Sequence, residues 1–156
     1  MDLDKTDARI LELLQNDALL TYKEVADKLG KTVTPVYERI RRLREEGYIM
    51  RYCALVDRNK IGKSLVAYTN VQLKQHAESI LLNFEKTIVK FEEVMECYHM
   101  TGVYDYLLKV VVADMAAYQH FIVSKLARLP DIGTVQSSFV MTEVKSETAY
   151  RVGREG

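Results

Sequence analysis

Between Lys31 and Arg51 the chain collects side chains suited to gripping a polyanion. Lys31, Arg39, Arg41, Arg42, Arg44 and Arg51 fall within a short span, interleaved with Thr32, Thr34 and Glu38. Residues 31–60 carry eight Lys/Arg against four Asp/Glu, a local charge of +4. Residues 1–30 carry four against seven, and residues 61–156 carry ten against eleven, so the whole chain sums to zero. A cation cluster hidden in a neutral chain is the electrostatic footprint expected of a phosphate-binding surface. The alternative is the solvated face of an ordinary amphipathic helix.

A second constellation is "MTGVYDYLL", starting at Met100. Backbone N–H groups around Gly102 can form a small anion nest. Asp105 can pair with an ammonium group. Together they complement a zwitterion such as a free amino acid. Met100, Thr101, Tyr104 and Tyr106 would bound the space. Thr134, Gln136 and Ser138 alternate on one face of a later strand and add polar contacts, possible from a neighbouring subunit. The plainer reading is a hairpin turn capped by its aspartate.

Other chemistry finds little support. His76, His99 and His120 are scattered singly, and Cys53 and Cys97 belong to no CxxC pair. No metal or redox site is expected, and both cysteines are read as buried free thiols. No catalytic constellation and no cofactor motif stands out; His99 beside the hairpin is the one hint of catalysis. At 48% hydrophobic and 28% charged residues, with no apolar run long enough to span a bilayer, the composition is that of a globular protein. The acidic, polar N-terminus is neither a signal nor a transit peptide. A cytoplasmic location is expected, with no membrane partner.

The elements that position these residues follow from periodicity and caps. A first helix is predicted from Asp4, as its cap, to about Gln15, with an Ile10, Leu11, Leu13, Leu14 stripe. Thr21 and Glu24 have capping-box spacing, and Leu20 and Val25 suit a hydrophobic staple, so a second helix begins there and stops at Gly30. The third spans Thr32, as cap, to Glu46. Pro35 then stands at the third helical position, where its missing N–H has no partner to lose. Val33, Val36, Ile40 and Leu43 share one face; Thr34, Glu38, Arg41, Arg42 and Glu45 share the opposite one. A short helix, a tight turn and a basic helix make a helix-turn-helix. Thr34, Pro35 and Glu38 would then meet base edges, and Arg41 and Arg42 guanine or phosphate. Lys31, Thr32 and Arg51 would hold phosphate. Glu38 could instead be an i, i+4 partner of Arg42.

After Gly47, residues 48–57 read as extended pieces of a small wing. Strands are predicted over 65–74, 94–101, 104–113 and 134–145, with helices over 78–91 and from Asp114 to Leu129. The order β-α-β-β-α-β is ferredoxin-like. The expected division is a DNA-binding domain at 1–60, a ferredoxin-like effector and assembly domain at 61–148 and a frayed tail at 149–156. The apolar stretch 104–113 predicts a sheet face needing a partner.

Taken together, "LDKTDARILELLQND", "KEVADKLG", "TPVYERIRRLREEGYI", "ECYHMTGVYDYLLKVVV" and "ARLPDI" resemble the Lrp/AsnC family in order and spacing, over about residues 2–148. The resemblance implies an α+β protein: an N-terminal winged helix-turn-helix and a C-terminal ferredoxin-like sensing domain. It implies a sequence-specific regulator of transcription that acts on double-stranded DNA at the nucleoid. Such a protein dimerises through its sheets, assembles further into an octamer or similar multimer, and answers to a small effector, typically an amino acid. The family turn commonly reads G-L-S-P; here it is Gly30-Lys31-Thr32-Val33. Arg51 stands where a glycine is common. Two alternatives share the fold: an enzyme like the tetrapyrrole side-chain decarboxylases, and a stand-alone ligand sensor.

Overall fold

The computed structural model describes residues 3–152. They divide into two compact units, residues 3–55 with 145–152, and residues 56–144.

The first unit is built from three helices: α1 (Lys5–Asn16), α2 (Tyr22–Leu29) and α3 (Val33–Glu45). Their ends are set by local chemistry. Asp4 caps α1 and shares a capping box with Asp7, and Thr21 does the same for α2 with Glu24. Gly30 closes α2 at φ 62°, a left-handed turn that a side chain would strain. Thr32 precedes α3 in extended conformation and makes no side-chain cap bond, so Pro35 occupies the third helical position without breaking the helix. Ile10, Leu11, Leu14, Val25, Ala26, Val36, Ile40 and Leu43 interlock as the core. Val33 differs from its expected place on that face: it is 43% exposed. It is the first residue of α3, at the end of the stripe.

The segment after α3 departs from expectation. Residues 50–57 form no strand among the described residues, and Met50, Tyr52 and Leu55 are exposed. A strand needs a neighbour to take its backbone hydrogen bonds, and these residues pair with no strand among the described residues. Cys53 is exposed here rather than buried; Cys97 is half-buried.

The tail also differs. Instead of fraying, residues 145–152 belong to the first unit. Gln15 clamps Tyr150 from both sides: its Nε2 donates to the Tyr150 carbonyl at 2.9 Å and its Oε1 accepts the Tyr150 N–H at 2.6 Å. Val152 packs against the helical core.

The second unit is a four-stranded antiparallel sheet, β1 (Leu65–Leu73), β2 (Val94–His99), β3 (Tyr106–Val112) and β4 (Ile132–Phe139), in the order β2-β3-β1-β4. Helices α4 (Glu78–Ile88) and α5 (Met115–Ser124) and a 3-10 turn (Leu126–Arg128) complete the β-α-β-β-α-β order. Asp114 caps α5 through the Ala117 N–H. Ala67, Val71, Leu108, Val110 and Val112 meet Phe84, Ile88, Tyr118 and Phe121 in one core. Truncating a fully buried ring such as Phe121 to Ala would cost about 3–5 kcal/mol. The last strand stops at Phe139 and the preceding helix at Ser124, both earlier than periodicity suggested.

Candidate functional site

The basic cluster resolves into two groups once α3 is placed. On one flank the arginines turn inward. Arg39 Nη1 lies 2.7 Å from Asp7 Oδ1 and 2.6 Å from Asp4 Oδ2, and Arg42 Nη2 lies 2.6 Å from Asp7 Oδ2. Asp7 is buried, and the hydrogen bonds that Arg39 donates to Asp7 and then to Asp4 raise its guanidinium above its ordinary value. Arg42 was expected on the open face. It is instead committed to α1, because an acid buried in the α1 stripe demands a cation. The alternative reading of Glu38 as a partner of Arg42 accordingly does not hold among the described residues, where Glu38 pairs with Arg41 instead.

The open face of α3 carries Thr34, Pro35, Glu38 and Arg41, all exposed, with Lys31 and Thr32 exposed just before it. Glu38 Oε2 lies 2.7 Å from Arg41 Nη2, and Glu45 Oε1 is 3.7 Å from Arg41 Nε. Each of these side chains is about half exposed or more, so the ion pairs are weak and rearrangeable. Arg51 is exposed in the unpaired segment after the helix.

Sequence reasoning overlooked Asp7. Its signal was legible: an acid at i−3, i−4 and i−7 from Ile10, Leu11 and Leu14 lies on the apolar face. It also overlooked Tyr22 and Tyr37, whose rings meet edge-to-face at 5.1 Å.

In the second unit the β2–β3 connection turns at Gly102, with φ 120°, and is closed by the Met100 N–H donating to the Asp105 carbonyl at 2.8 Å. Met100, Thr101 and Gly102 are exposed at its tip. Tyr104 reaches β4, where its hydroxyl donates to Gln136 Oε1. Thr134, Gln136 and Ser138 are exposed and pair with Gln72, Asn70 and Tyr68. They share the sheet face turned away from α4 and α5.

Two predicted effector residues are placed differently. Asp105 is mostly buried and already engaged: Oδ2 accepts the Leu73 N–H at 2.7 Å, and Oδ1 lies 2.8 Å from His76 Nε2. The β1–β4 register shifts at Gln72/Leu73. On the other edge β1 pairs with β3 only as far as Val71–Tyr106, so the Leu73 N–H lies past the end of β3 and takes the Asp105 carboxylate as its partner. Gly133 presses against this shift; a Cβ there would stand 2.9 Å from the Gln72 carbonyl oxygen. Tyr106 faces the helices. It is 1% exposed, stacks on His99 and donates its hydroxyl to Glu85 Oε1 at 2.9 Å. Burial, then the Glu85 bond, raises its phenol. A one-residue step along a strand reverses the face, so Tyr106 could not share Leu107's side of the sheet.

The open sheet face is less apolar than the run 104–113 suggested. Lys109 Nζ bonds Glu96 Oε1 at 2.8 Å, and the Tyr98 hydroxyl bonds Glu96 Oε2 at 2.8 Å. Tyr68, Asn70 and Leu107 lie in register beside them. Among the described residues no cluster of His, Cys, Asp and Glu has the makings of a metal site.

Residues 3–50 match the winged helix-turn-helix DNA-binding domain, and residues 66–150 match the Lrp/AsnC ligand binding domain. The chain is 37% identical over 148 residues to the Bkd operon transcriptional regulator of Pseudomonas aeruginosa, covering 95% of this chain and 97% of that one. It is 37% identical over 144 residues to the leucine-responsive regulatory protein of Escherichia coli, covering 92% and 88%. A transcriptional regulator from Neisseria meningitidis, solved as its complex with L-Met, superposes with a TM-score of 0.91 at 32% identity over 96% of each chain. The two family matches cover the helical unit and most of the sheet unit in turn, and the chain belongs to the Lrp/AsnC family of transcriptional regulators, with a DNA-binding domain before a ligand-binding one.

Proposed function

We propose that the protein binds specific sites in double-stranded DNA through α3, as a homodimer or a larger multimer such as an octamer. A free amino acid held at the β2–β3 connection changes its assembly or its DNA affinity. The observation that carries the DNA reading is the open face of α3, where Thr34, Pro35, Glu38 and Arg41 are exposed at the helical repeat while Arg39 and Arg42 are held by Asp7. Residues near the start of a recognition helix meet base edges. Glu38 accepts from a cytosine amino group and Pro35 touches a thymine methyl. Lys31, Thr32 and Arg51 hold phosphate, and Arg41, released from its weak pairs, reaches guanine or phosphate.

For the effector, the exposed tip at Met100, Thr101 and Gly102 and the Tyr104–Gln136 pair supply the ligand-facing groups, with Thr134 and Ser138 beside them. Asp105 shapes this site by holding Leu73 and His76; its bond to His76 is the group an ammonium would have to displace. The L-Met complex of the Neisseria meningitidis relative supports an amino acid of medium, apolar side chain, methionine or leucine. The family match favours a regulator over a decarboxylase, and His99, stacked on Tyr106, is engaged in the domain's own packing. A cytoplasmic protein of the nucleoid fits this role. No described helix is long and apolar enough to cross a membrane.

Footprinting across the gene's own upstream region, at stated salt and with each of the twenty amino acids, tests the proposal. Protected half-sites centred about one helical turn apart, or a multiple of it, are expected. Protection or multimer size should change with one or a few amino acids. Weak, sequence-blind binding at physiological salt would overturn the DNA reading, and indifference to every amino acid the effector reading.

A further inference from the structure

Tyr22 opens α2 and Tyr37 lies one turn into α3. Their rings meet edge-to-face, with centroids 5.1 Å apart and planes at 87°. Neither ring belongs to the helical core, and they remain 39% and 41% exposed. On α3, Tyr37 stands three residues after Thr34 and four before Arg41, so it borders the open face. Tyr22 follows Thr21, whose capping box with Glu24 fixes the first turn of α2. Two helices of the unit therefore bring phenols to one border of the open face of α3.

Such a pair is more than the packing needs. An aromatic pair is rigid, with only two side-chain torsions in each ring, so its hydroxyls are held at little entropic cost. Tyrosine hydroxyls are among the groups that bond DNA phosphates and fix a protein's register on the duplex. The cations that could do the same on the other flank are taken: Arg39 and Arg42 are bound to α1 carboxylates. We propose that Tyr22 and Tyr37 form a neutral backbone clamp, their hydroxyls donating to phosphodiester oxygens of duplex DNA beside the bases met by Thr34 and Glu38. This rests on the DNA-binding reading and extends it to residues that carry no charge.

Neutrality gives the clamp a signature. A lysine or arginine contact releases counterions, so its loss flattens the dependence of affinity on salt. A hydroxyl neutralises nothing, so its loss lowers affinity without changing that slope. A backbone contact also lowers affinity for random and specific sequences by the same factor.

The test uses the full chain with Tyr22→Phe, Tyr37→Phe and the double variant, which keep both rings. Binding is measured by fluorescence anisotropy to a footprinted site and to a random duplex, from low to physiological salt, beside Lys31→Ala. Each Phe variant should lose about tenfold in affinity for both duplexes, with the wild-type salt slope and wild-type melting temperature. Lys31→Ala should flatten the slope by about one unit. Methylphosphonate at the contacted phosphates should erase the difference between wild type and Phe variants. The clamp is overturned if the Phe variants bind like wild type, if their slope flattens, or if their affinity falls only with their melting temperature. Absence of specific binding by the wild type would overturn the DNA reading itself, a separate outcome.

Discussion

Arg42 Nη2 stands 2.6 Å from Asp7 Oδ2, on a carboxylate whose side chain is only 2% exposed. The recognition helix is thus tied to α1 by the same carboxylate that completes the α1 cap. Basic residues on α3 therefore have two jobs, and the sequence mixes them. Asp7→Asn should cost about 2 kcal/mol, less than a fully buried pair because both guanidinium groups keep about a third of their exposure. Denaturant unfolding monitored on the helical unit measures it. An unchanged midpoint would mean that the ion pair adds nothing net.

The exposed partners should behave otherwise. Glu38→Ala and Thr34→Ala should relax sequence preference while leaving stability within about 0.5 kcal/mol, as surface changes do. Selection from a randomised duplex library reads the preference directly. Preference identical to wild type for Glu38→Ala would place another face of α3 in the groove.

Asp105 calls for two variants rather than one. Asp105→Ala strands the Leu73 N–H and should destabilise the second unit by about 1–3 kcal/mol. Asp105→Asn keeps an acceptor for that N–H but drops the charge. If the carboxylate also meets an ammonium, calorimetry will show amino-acid binding lost in Asp105→Asn at near-native stability. Binding as tight as wild type in Asp105→Asn would leave the aspartate a purely structural role.

Acid should weaken the sheet unit through Glu96. The hydrogen bond from Lys109 lowers this carboxyl below its ordinary 4.5, partly opposed by burial. Its contribution is therefore complete above about pH 4.5, where the unfolded chain would also be ionised, and disappears as pH falls through the lower folded value. Melting curves of wild type and Glu96→Gln should converge as pH drops below 4.5 and differ at pH 6. Parallel curves throughout would remove Glu96 from acid sensitivity.

The two thiols should separate kinetically. Burial, with Glu85 nearby, pushes Cys97 up to about 11, while Cys53 is exposed. Iodoacetamide at pH 8 should alkylate Cys53 quickly and Cys97 only on unfolding. Equal rates, followed by peptide mass spectrometry, would contradict this placement.

The three helices, their caps and the strand order were legible because each is dictated locally, by Thr21 with Glu24, Gly30 and the alternation of β1. What escaped depends on long-range partners. Arg42 looks like a surface residue until α1 brings Asp7 beneath it. Asp105 looks available until the β1–β3 ladder, ending at Val71, leaves the Leu73 N–H to satisfy. Tyr106 opens β3 with its ring buried against the helices, whereas Tyr104 still belongs to the connection and reaches Gln136, although both lie in one motif. That residues 50–57 form no strand was not legible, because extended residues resemble a strand whether or not a neighbour pairs with them.

The amide clamp between Gln15 and Tyr150 has a consequence for biosynthesis. A ribosome delivers α1, α2 and α3 first, yet the peptide that docks on α1 emerges only after the entire sheet unit. The bonds between Gln15 and Tyr150 form only after translation has passed residue 150. During that interval nascent chains expose the patch that Val152 later covers, so the first module to appear is the last to be finished.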